Sequence, residues 1–511
     1  MPSSQHFLSR PRSGKKNRSI AEYGDYQTPL ELAREVCGLL VRQGFRPKSV
    51  LEPTCGTGSF LVAALEAFPS IEQPIGLEIN GNHAAEALAA VRRCAGTTEP
   101  LIVNEDFFSA DWPAILSCLP PPLLIVGNPP WVTNSEMGAL GGTNVPPRAN
   151  FTNLRGIEAI TGASNFDISE WMLMKALEWI EAKSGVLAML CKTSTARKVL
   201  FHTWRSGRLT LDASMFPVDA AKHFGVTVDA CLLLVKGVGS HGTRECSVAA
   251  GIAQSGSVVT FGLRSNGLVA DVKTYDSVAG LEGMQRGTWR SGVKHDCARV
   301  MELRREGKRW RNGLGEIVEL EPNYLYPMLK SSDLSRNKLA PSRWMLVTQR
   351  CINDETSSIQ TIAPRTWQYL TDHGQLLDRR ASSVYAKRPR FSVFGVGPYT
   401  FAPWKVAISG FARDLRFHVI GPWEQTSVVL DDTCYFVPCQ ESEQAQLLFT
   451  LLSSKRARRF FQSLIFWDAK RPVTAAVLRR LDLKILARES GLACTDCGWP
   501  WGSGVESNQI P

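Results

Sequence analysis

Asn128, Pro129, Pro130 and Trp131 stand directly after the apolar run 123–126, and their types and order could do chemistry. Consecutive prolines hold an extended backbone and supply no N–H, so the Asn128 side-chain oxygen and the Pro129 carbonyl can converge on one donor group. Two acceptors at one point suit an amino group. An aromatic ring next in the chain can stack on a planar base, as an enzyme working on a nucleobase turned out of its duplex requires. Pro-Pro turns after strands are common, and Trp131 alone could be a core residue, so the weight falls on what lies upstream.

Upstream, the segment 51–60 runs from Leu51 through Glu52, Pro53, Gly56 and Gly58 to Phe60. It reads as a strand that breaks at a proline, passes two glycines and opens a helix. The glycines let backbone approach a ligand closely, and the helix N-terminus offers unpaired N–H groups. The lysine of a phosphate loop is missing, which disfavours an ATP site. Glu78 ends the next apolar run about twenty residues on, placed to accept hydrogen bonds from ribose hydroxyls. Asp106 ends the third, where its carboxylate could accept from the amine of an adenine with Phe107 packed on the ring. Alone, Glu78 would be an exposed strand-end charge and Asp106 a helix cap; in sequence they point to an adenosine-containing cofactor.

The elements that must position these residues alternate between short apolar runs and helical periods. Strands are expected at 49–52, 74–78, 101–104, 123–127, 185–191 and 229–236, with helices at 59–67, 83–95 and 167–182. A further helix is expected to start with Thr28 as N-cap and Pro29 in its first turn, ending near Gly44. This is an α/β, doubly wound layout whose crevice lies at the C-terminal ends of the strands. The segment 130–165 lacks a sustained period and reads as a long lid or substrate loop. Beyond about residue 240 the alternation fades into short β-like runs rich in Trp, Tyr and Arg. The expected division is a basic flexible arm at 1–22, a catalytic domain at 23–240, a mixed α+β domain at 241–485 and a flexible tail at 486–511.

With 511 residues, 44% of them apolar and 21% charged, the chain is expected to fold as two domains. Its apolar runs are too short to span a bilayer and the N-terminus lacks a signal peptide, giving an expected cytoplasmic location without membrane partners. Thirteen scattered cysteines read as reduced thiols. Cys494 and Cys497 have CxxC spacing, but no second pair completes a zinc set, and no metal is expected. A net charge of +10 attracts polyanions, nucleic acid foremost.

These motifs, in this order, resemble the class I methyltransferases, and among them the gamma-class N6-adenine DNA methyltransferases of restriction-modification systems, over about 23–236. Gln27, Thr28 and Pro29 resemble the family's motif near the methionine part of S-adenosyl-L-methionine, and 52–60 its glycine motif. Glu78 and Asp106 match its ribose and adenine acceptors, and Asn128 to Trp131 its catalytic (D/N/S)PP(Y/F/W) motif. By the same resemblance Phe224, beside His223 and Gly225, packs on the extruded base, with Phe216 as rival. The C-terminal half weakly resembles the family's target-recognition part, notably at 325–330 and 394–405, with Arg388, Arg390 and Trp404 as examples of residues suited to DNA contact. The resemblance implies S-adenosyl-L-methionine as cofactor and double-stranded DNA as partner; no metal-binding carboxylate set followed by a lysine marks a fused nuclease, so any restriction endonuclease is expected as a separate chain. Chemically close alternatives are N4 of cytosine, RNA bases, protein glutamine side chains, and a non-catalytic DNA-binding subunit.

Overall fold

The structure, a computed structural model, describes residues 26–96, 98–132, 167–207, 211–237, 243–254, 256–283 and 289–491. The expected arm at 1–22, most of the expected lid at 130–165, and Cys494 and Cys497 lie outside these residues. The chain divides into two compact units, 1–268 and 269–511. No helix among the described residues is long and apolar enough to cross a membrane.

The first unit is organised by a run of parallel strands: β1 (Ser49–Glu52), β2 (Gln73–Leu77), β3 (Leu101–Val103), β4 (Leu123–Gly127) and β5 (Val186–Lys192). Every residue of β1 and β4 is buried, the signature of strands covered on both faces, where an unbroken apolar run is the stable sequence. Their order is β3-β2-β1-β4-β5. The chain winds outward from β1 to β3 and then restarts on the other side of β1, so a crevice opens at the switch between β1 and β4. Helices α1 (Leu30–Arg42), α2 (Ser59–Ala67), α3 (Gly81–Cys94), α4 (Trp112–Ser117), α5 (Ile168–Ala182) and α6 (Thr193–Ser206) complete the winding. Buried side chains of α1 and α2, Leu32, Val36, Leu40, Phe60 and Leu61, share one core with Val50, Leu124 and Val126.

Three features differ from the sequence expectation. Thr28 does not cap α1: the N-cap is Pro29, with no side-chain cap bond. The strand expected at 229–236 is β7 (Ala230–Gly237), which runs antiparallel between β5 and β6 (Leu211–Val218), a strand not anticipated. The first unit also passes the expected limit of 240. There β8 (Glu245–Ala249) pairs parallel with β6, setting Ala213–Met215 opposite Cys246–Val248. β9 (Ser257–Arg264) follows antiparallel, and the division falls in β10 (Gly267–Val269). Ladder hydrogen bonds hold β8 to β6 and β9 to β8, so both strands belong to the first sheet, whatever the fading of the α/β rhythm suggests.

The second unit is mixed α+β. One sheet has four strands, β11 (Arg290–Ser291), β20 (Cys434–Cys439), β17 (Trp404–Ser409) and β18 (His418–Ile420), in that order. The other has six, in the order β14 (Ile317–Val318), β13 (Arg309–Asn312), β12 (Glu302–Glu306), β16 (Arg343–Leu346), β15 (Leu325–Leu329), β19 (Val429–Leu430). Residues 486–489, expected in the tail, belong to the fold, because Leu486 and Ala487 are buried in the helix Leu483–Glu489; 492–511 lie outside the described residues.

Candidate active site

Parallel register brings the C-terminal ends of β1 to β5 to one edge: Leu51 is opposite both Ile75 and Ile125, and Gly127 is opposite Met189. The glycine turn and the proline turn therefore leave the sheet side by side, on either side of the switch point.

The glycine turn is braced from several directions. Gly56 (φ +50°) and Gly58 (φ +86°) both adopt left-handed backbone, which a side chain would strain. A Cβ on Gly56 would stand 2.3 Å from Gln27 Oε1. Gln27 Oε1 accepts from the Thr57 N–H at 3.0 Å. Glu78 takes the Gly56 N–H at 2.8 Å on one oxygen and the Asn80 N–H at 2.8 Å on the other. Asn104 Nδ2 donates to the carbonyls of Glu78 and Ile79 at 2.8 and 3.0 Å, fixing the end of β2; nothing in the sequence marked Asn104. Glu52 is buried and accepts from the Leu61 N–H at 3.2 Å, tying β1 to α2. Burial pushes its carboxyl well above the usual carboxylate range, toward the neutral acid. Pro53 is buried beside it, and Phe60 lies wholly in the core.

Thr28 and Pro29 are half-buried at the start of α1. Asp106 Oδ1 accepts from the Phe108 N–H at 3.0 Å. Phe107, expected to pack on a cofactor ring, is only 4% exposed. Its ring lies 4.7 Å from Trp112 and 6.0 Å from Trp179, and Phe108 is the half-buried member of the pair. Two adjacent phenylalanines after Asp106 cannot say which ring turns inward; the tryptophans of α4 and α5 decide it.

The proline turn is held differently. Asn128 Nδ2 donates to the Tyr26 carbonyl at 3.3 Å. Because that partner can only accept, it fixes which end of the amide is oxygen. Among the described residues Asn128 Oδ1 is then buried with no hydrogen-bond partner, and the Pro129 carbonyl accepts no hydrogen bond. Thr54 Oγ1, where the glycine turn begins, and Trp131 Nε1 are likewise buried and unpaired. Buried polar atoms without partners are rare and cost about 1–3 kcal/mol each, so these three side-chain atoms in the two neighbouring turns mark a place for a ligand.

Trp131, expected to stack on a base, is 8% exposed and packed in the core. Phe224 meets it edge to face at 5.4 Å, and Tyr26 at 6.4 Å. Phe224 ends α7 (Ala220–Phe224) and is half-buried, whereas Phe216 lies in β6 and is buried in the core. Of the two rivals, the fold brings Phe224 to Trp131.

Sequence reading missed Lys192. It closes β5, an otherwise apolar strand, and its ammonium donates to the Trp131 carbonyl at 2.8 Å and to Asp167 Oδ2 at 2.8 Å. Asp167 also caps α5 through Ser169, and the Ile168 N–H donates to the Val132 carbonyl at 3.0 Å. Lys192 thereby pins the chain just after the prolines to the start of α5. The available signal was a single lysine ending a buried strand next to β4.

No family model matches the chain. Type II methyltransferase M.NspV of Nostoc sp. is 44% identical over 470 residues, covering 91% of this chain and 97% of that protein. The type IIL restriction-modification enzyme MmeI, solved in complex with DNA, is 15% identical with a TM-score of 0.54 over 88% of this chain. This chain spans 64% of MmeI's length, and the likeness is one of fold. With its parallel sheet, its glycine turn at the switch point and its M.NspV relationship, the chain belongs to the type II methyltransferases of restriction-modification systems, with S-adenosyl-L-methionine as cofactor.

Proposed function

We propose that this protein methylates the exocyclic N6 of an adenine turned out of double-stranded DNA. The observation that carries this reading is Asn128: its amide nitrogen is engaged by Tyr26, while its buried oxygen has no partner among the described residues.

The glycine turn suits the cofactor, since Gly56 and Gly58 hold the left-handed backbone that shapes it and Thr54 Oγ1 beside it is buried and unpaired among the described residues. Gln27, Thr28 and Pro29 would border the methionine part; Glu52, Pro53, Gly56, Gly58 and Phe60 would shape the turn. Glu78 would take the ribose hydroxyls on its remaining lone pairs, and Asp106 the adenine amine. Phe108 is better exposed than Phe107 to pack on that ring. When bound, S-adenosyl-L-methionine supplies a methyl group on a sulfonium that leaves as a neutral thioether.

An adenine amine is a poor nucleophile because its lone pair is delocalised into the ring. Asn128 Oδ1 and the Pro129 carbonyl accept its two N–H groups, drawing the nitrogen toward tetrahedral geometry and aiming the lone pair at the methyl; the methylated nitrogen then releases one N–H proton to water. Catalysis is then chiefly positioning and charge placement. Pro130 holds the turn extended, Phe224 stacks on the extruded base, and Trp131 backs it edge-on. Lys192 fixes the carbonyl that follows the prolines. The second unit contacts the duplex, a nuclease acts as a separate chain, and the location is cytoplasmic.

The test is incubation of purified protein with labelled S-adenosyl-L-methionine and unmethylated genomic DNA, followed by mass spectrometry of the nucleosides. N6-methyladenine is expected. N4-methylcytosine would move the target atom, and label only in RNA or protein would overturn the reading.

A further inference from the structure

The expected DNA-contacting residues of the second unit are occupied within the protein. Arg388 bonds Asn353. Arg390 pairs with Asp378 at 2.9 Å over the Phe391 ring, and Trp404 is half-buried against the core. A cluster of positive charge with unpaired members lies elsewhere, on the hairpin of β12 and β13.

Residues 302–312 hold five basic side chains against two acidic ones, a net charge of +3. In the hairpin register Leu303 is opposite Asn312, Arg304 opposite Arg311, and Arg305 opposite Trp310. Leu303, Trp310 and Asn312 are buried, so strand alternation puts Arg304 and Arg311 together on the other face. On the far side of β12, Leu303 is opposite Trp344, and one step along that register places Arg343 beside Arg304. Three arginines thus stand in a row across three neighbouring strands. Like charges directly opposite one another destabilise a sheet.

Carboxylates relieve the two ends of the row: Glu306 pairs with Arg311, and Asp333 lies 3.5 Å from Arg343. Glu302, which also lies at this face, is engaged by Lys330 and His295. Arg304 in the middle has no hydrogen-bond or ion-pair partner among the described residues, and neither has the side chain of Arg299. Both border a cavity of about 310 Å³ that Arg311 and Arg343 also line. Arg299 reaches its edge because Gly313 has no side chain: a Cβ there would stand 2.7 Å from the Arg299 Cα.

We infer that this face of the hairpin is a phosphodiester site, in which Arg299 and Arg304 hold the DNA backbone while Arg311 and Arg343, already paired, complete the field. The site rests on the DNA reading proposed above and adds to it a sequence-independent contact. Guanidinium groups take phosphate oxygens in a fork, and each phosphate neutralised releases condensed counterions.

The experiment measures binding of a random-sequence duplex between about 50 and about 300 mM salt. It compares wild type, Arg304→Ala, Arg304→Lys and the double variant Arg299→Ala/Arg304→Ala, and maps the methylated sequence for each. Each alanine should shrink the slope of log affinity against log salt by about 0.9, with Arg304→Lys restoring it. The methylated sequence and the rate at saturating DNA should stay as in wild type. An unchanged slope in the double variant, with wild type binding DNA, would overturn the site alone. A changed methylated sequence would overturn the phosphate assignment in favour of base reading. Wild type that neither binds nor methylates DNA would overturn the DNA reading, and the site with it.

Discussion

The glycine turn after β1 and the proline turn after β4 leave the same edge of one sheet, yet they treat their polar atoms in opposite ways. In the glycine turn nearly every donor is answered from within the chain: Gly56 by Glu78, Thr57 by Gln27, Leu61 by Glu52. In the proline turn the Asn128 side chain is aimed by Tyr26, the backbone beyond it is held by Lys192, and the amide oxygen is left unanswered among the described residues. The first arrangement is a preformed cradle, whose contacts hold with or without a ligand. The second is completed only by the group it acts on, as expected where stabilisation must be felt during reaction more than on binding.

The comparison is broken most severely at Asn128. Asn128→Ala should lower the single-turnover methylation rate by about 10²–10³, the scale for losing one preorganised partner of the reacting group. Duplex and cofactor affinities should change little. A normal rate in that variant would remove the proline turn from the chemistry.

Lys192→Met should come next. It frees the Trp131 carbonyl and leaves Asp167, 7% exposed, without its ammonium. The turn can then shift by a fraction of an ångström, for a loss of about 10–100-fold in kcat. Lys192→Arg should recover part of it, and KM for DNA should hold. A purely structural lysine would instead lower the melting temperature while leaving kcat intact.

Glu78→Ala sharpens the other side. Losing the brace on Gly56 and Asn80 should weaken cofactor binding about tenfold, on the order of 1.4 kcal/mol, as read by calorimetric titration. At saturating cofactor the rate should approach that of wild type.

The smallest effect concerns the buried acid of the cradle. The folded-state pKa of Glu52 is raised by burial, so above the ordinary carboxylate value the folded protein retains a proton that the unfolded chain releases. Stability therefore falls as pH rises above about 4.5 until the folded group itself ionises, by up to about 1.4 kcal/mol per pH unit. Glu52→Gln keeps the acceptor for the Leu61 N–H and should abolish that slope, giving a variant more stable than wild type at pH 8 and little different near pH 4. Urea unfolding at the two pH values reads the difference.

Both turns were legible in the sequence because their chemistry is local. Glycine at positive φ, proline at a strand end and a helix start within ten residues are backbone constraints that need no distant partner. The sequence by itself also determined the parallel core of the first unit, since a run such as Leu123–Val126 is stable only where both faces are covered.

Only the tertiary structure decided the rest, because each remaining question is which of two chemically similar residues a remote element selects. β6 takes Phe216 inward, and helix α7 after it delivers Phe224 to Trp131, although the sequence offered both. The tryptophans of α4 and α5 bury Phe107 and leave Phe108 more open. Lys192 matters through a carbonyl 61 positions earlier in the chain, and the first unit extends to 268 through a ladder between β6 and β8. Such contacts are set by register and packing between segments far apart, and a one-residue slip in any strand would exchange their partners.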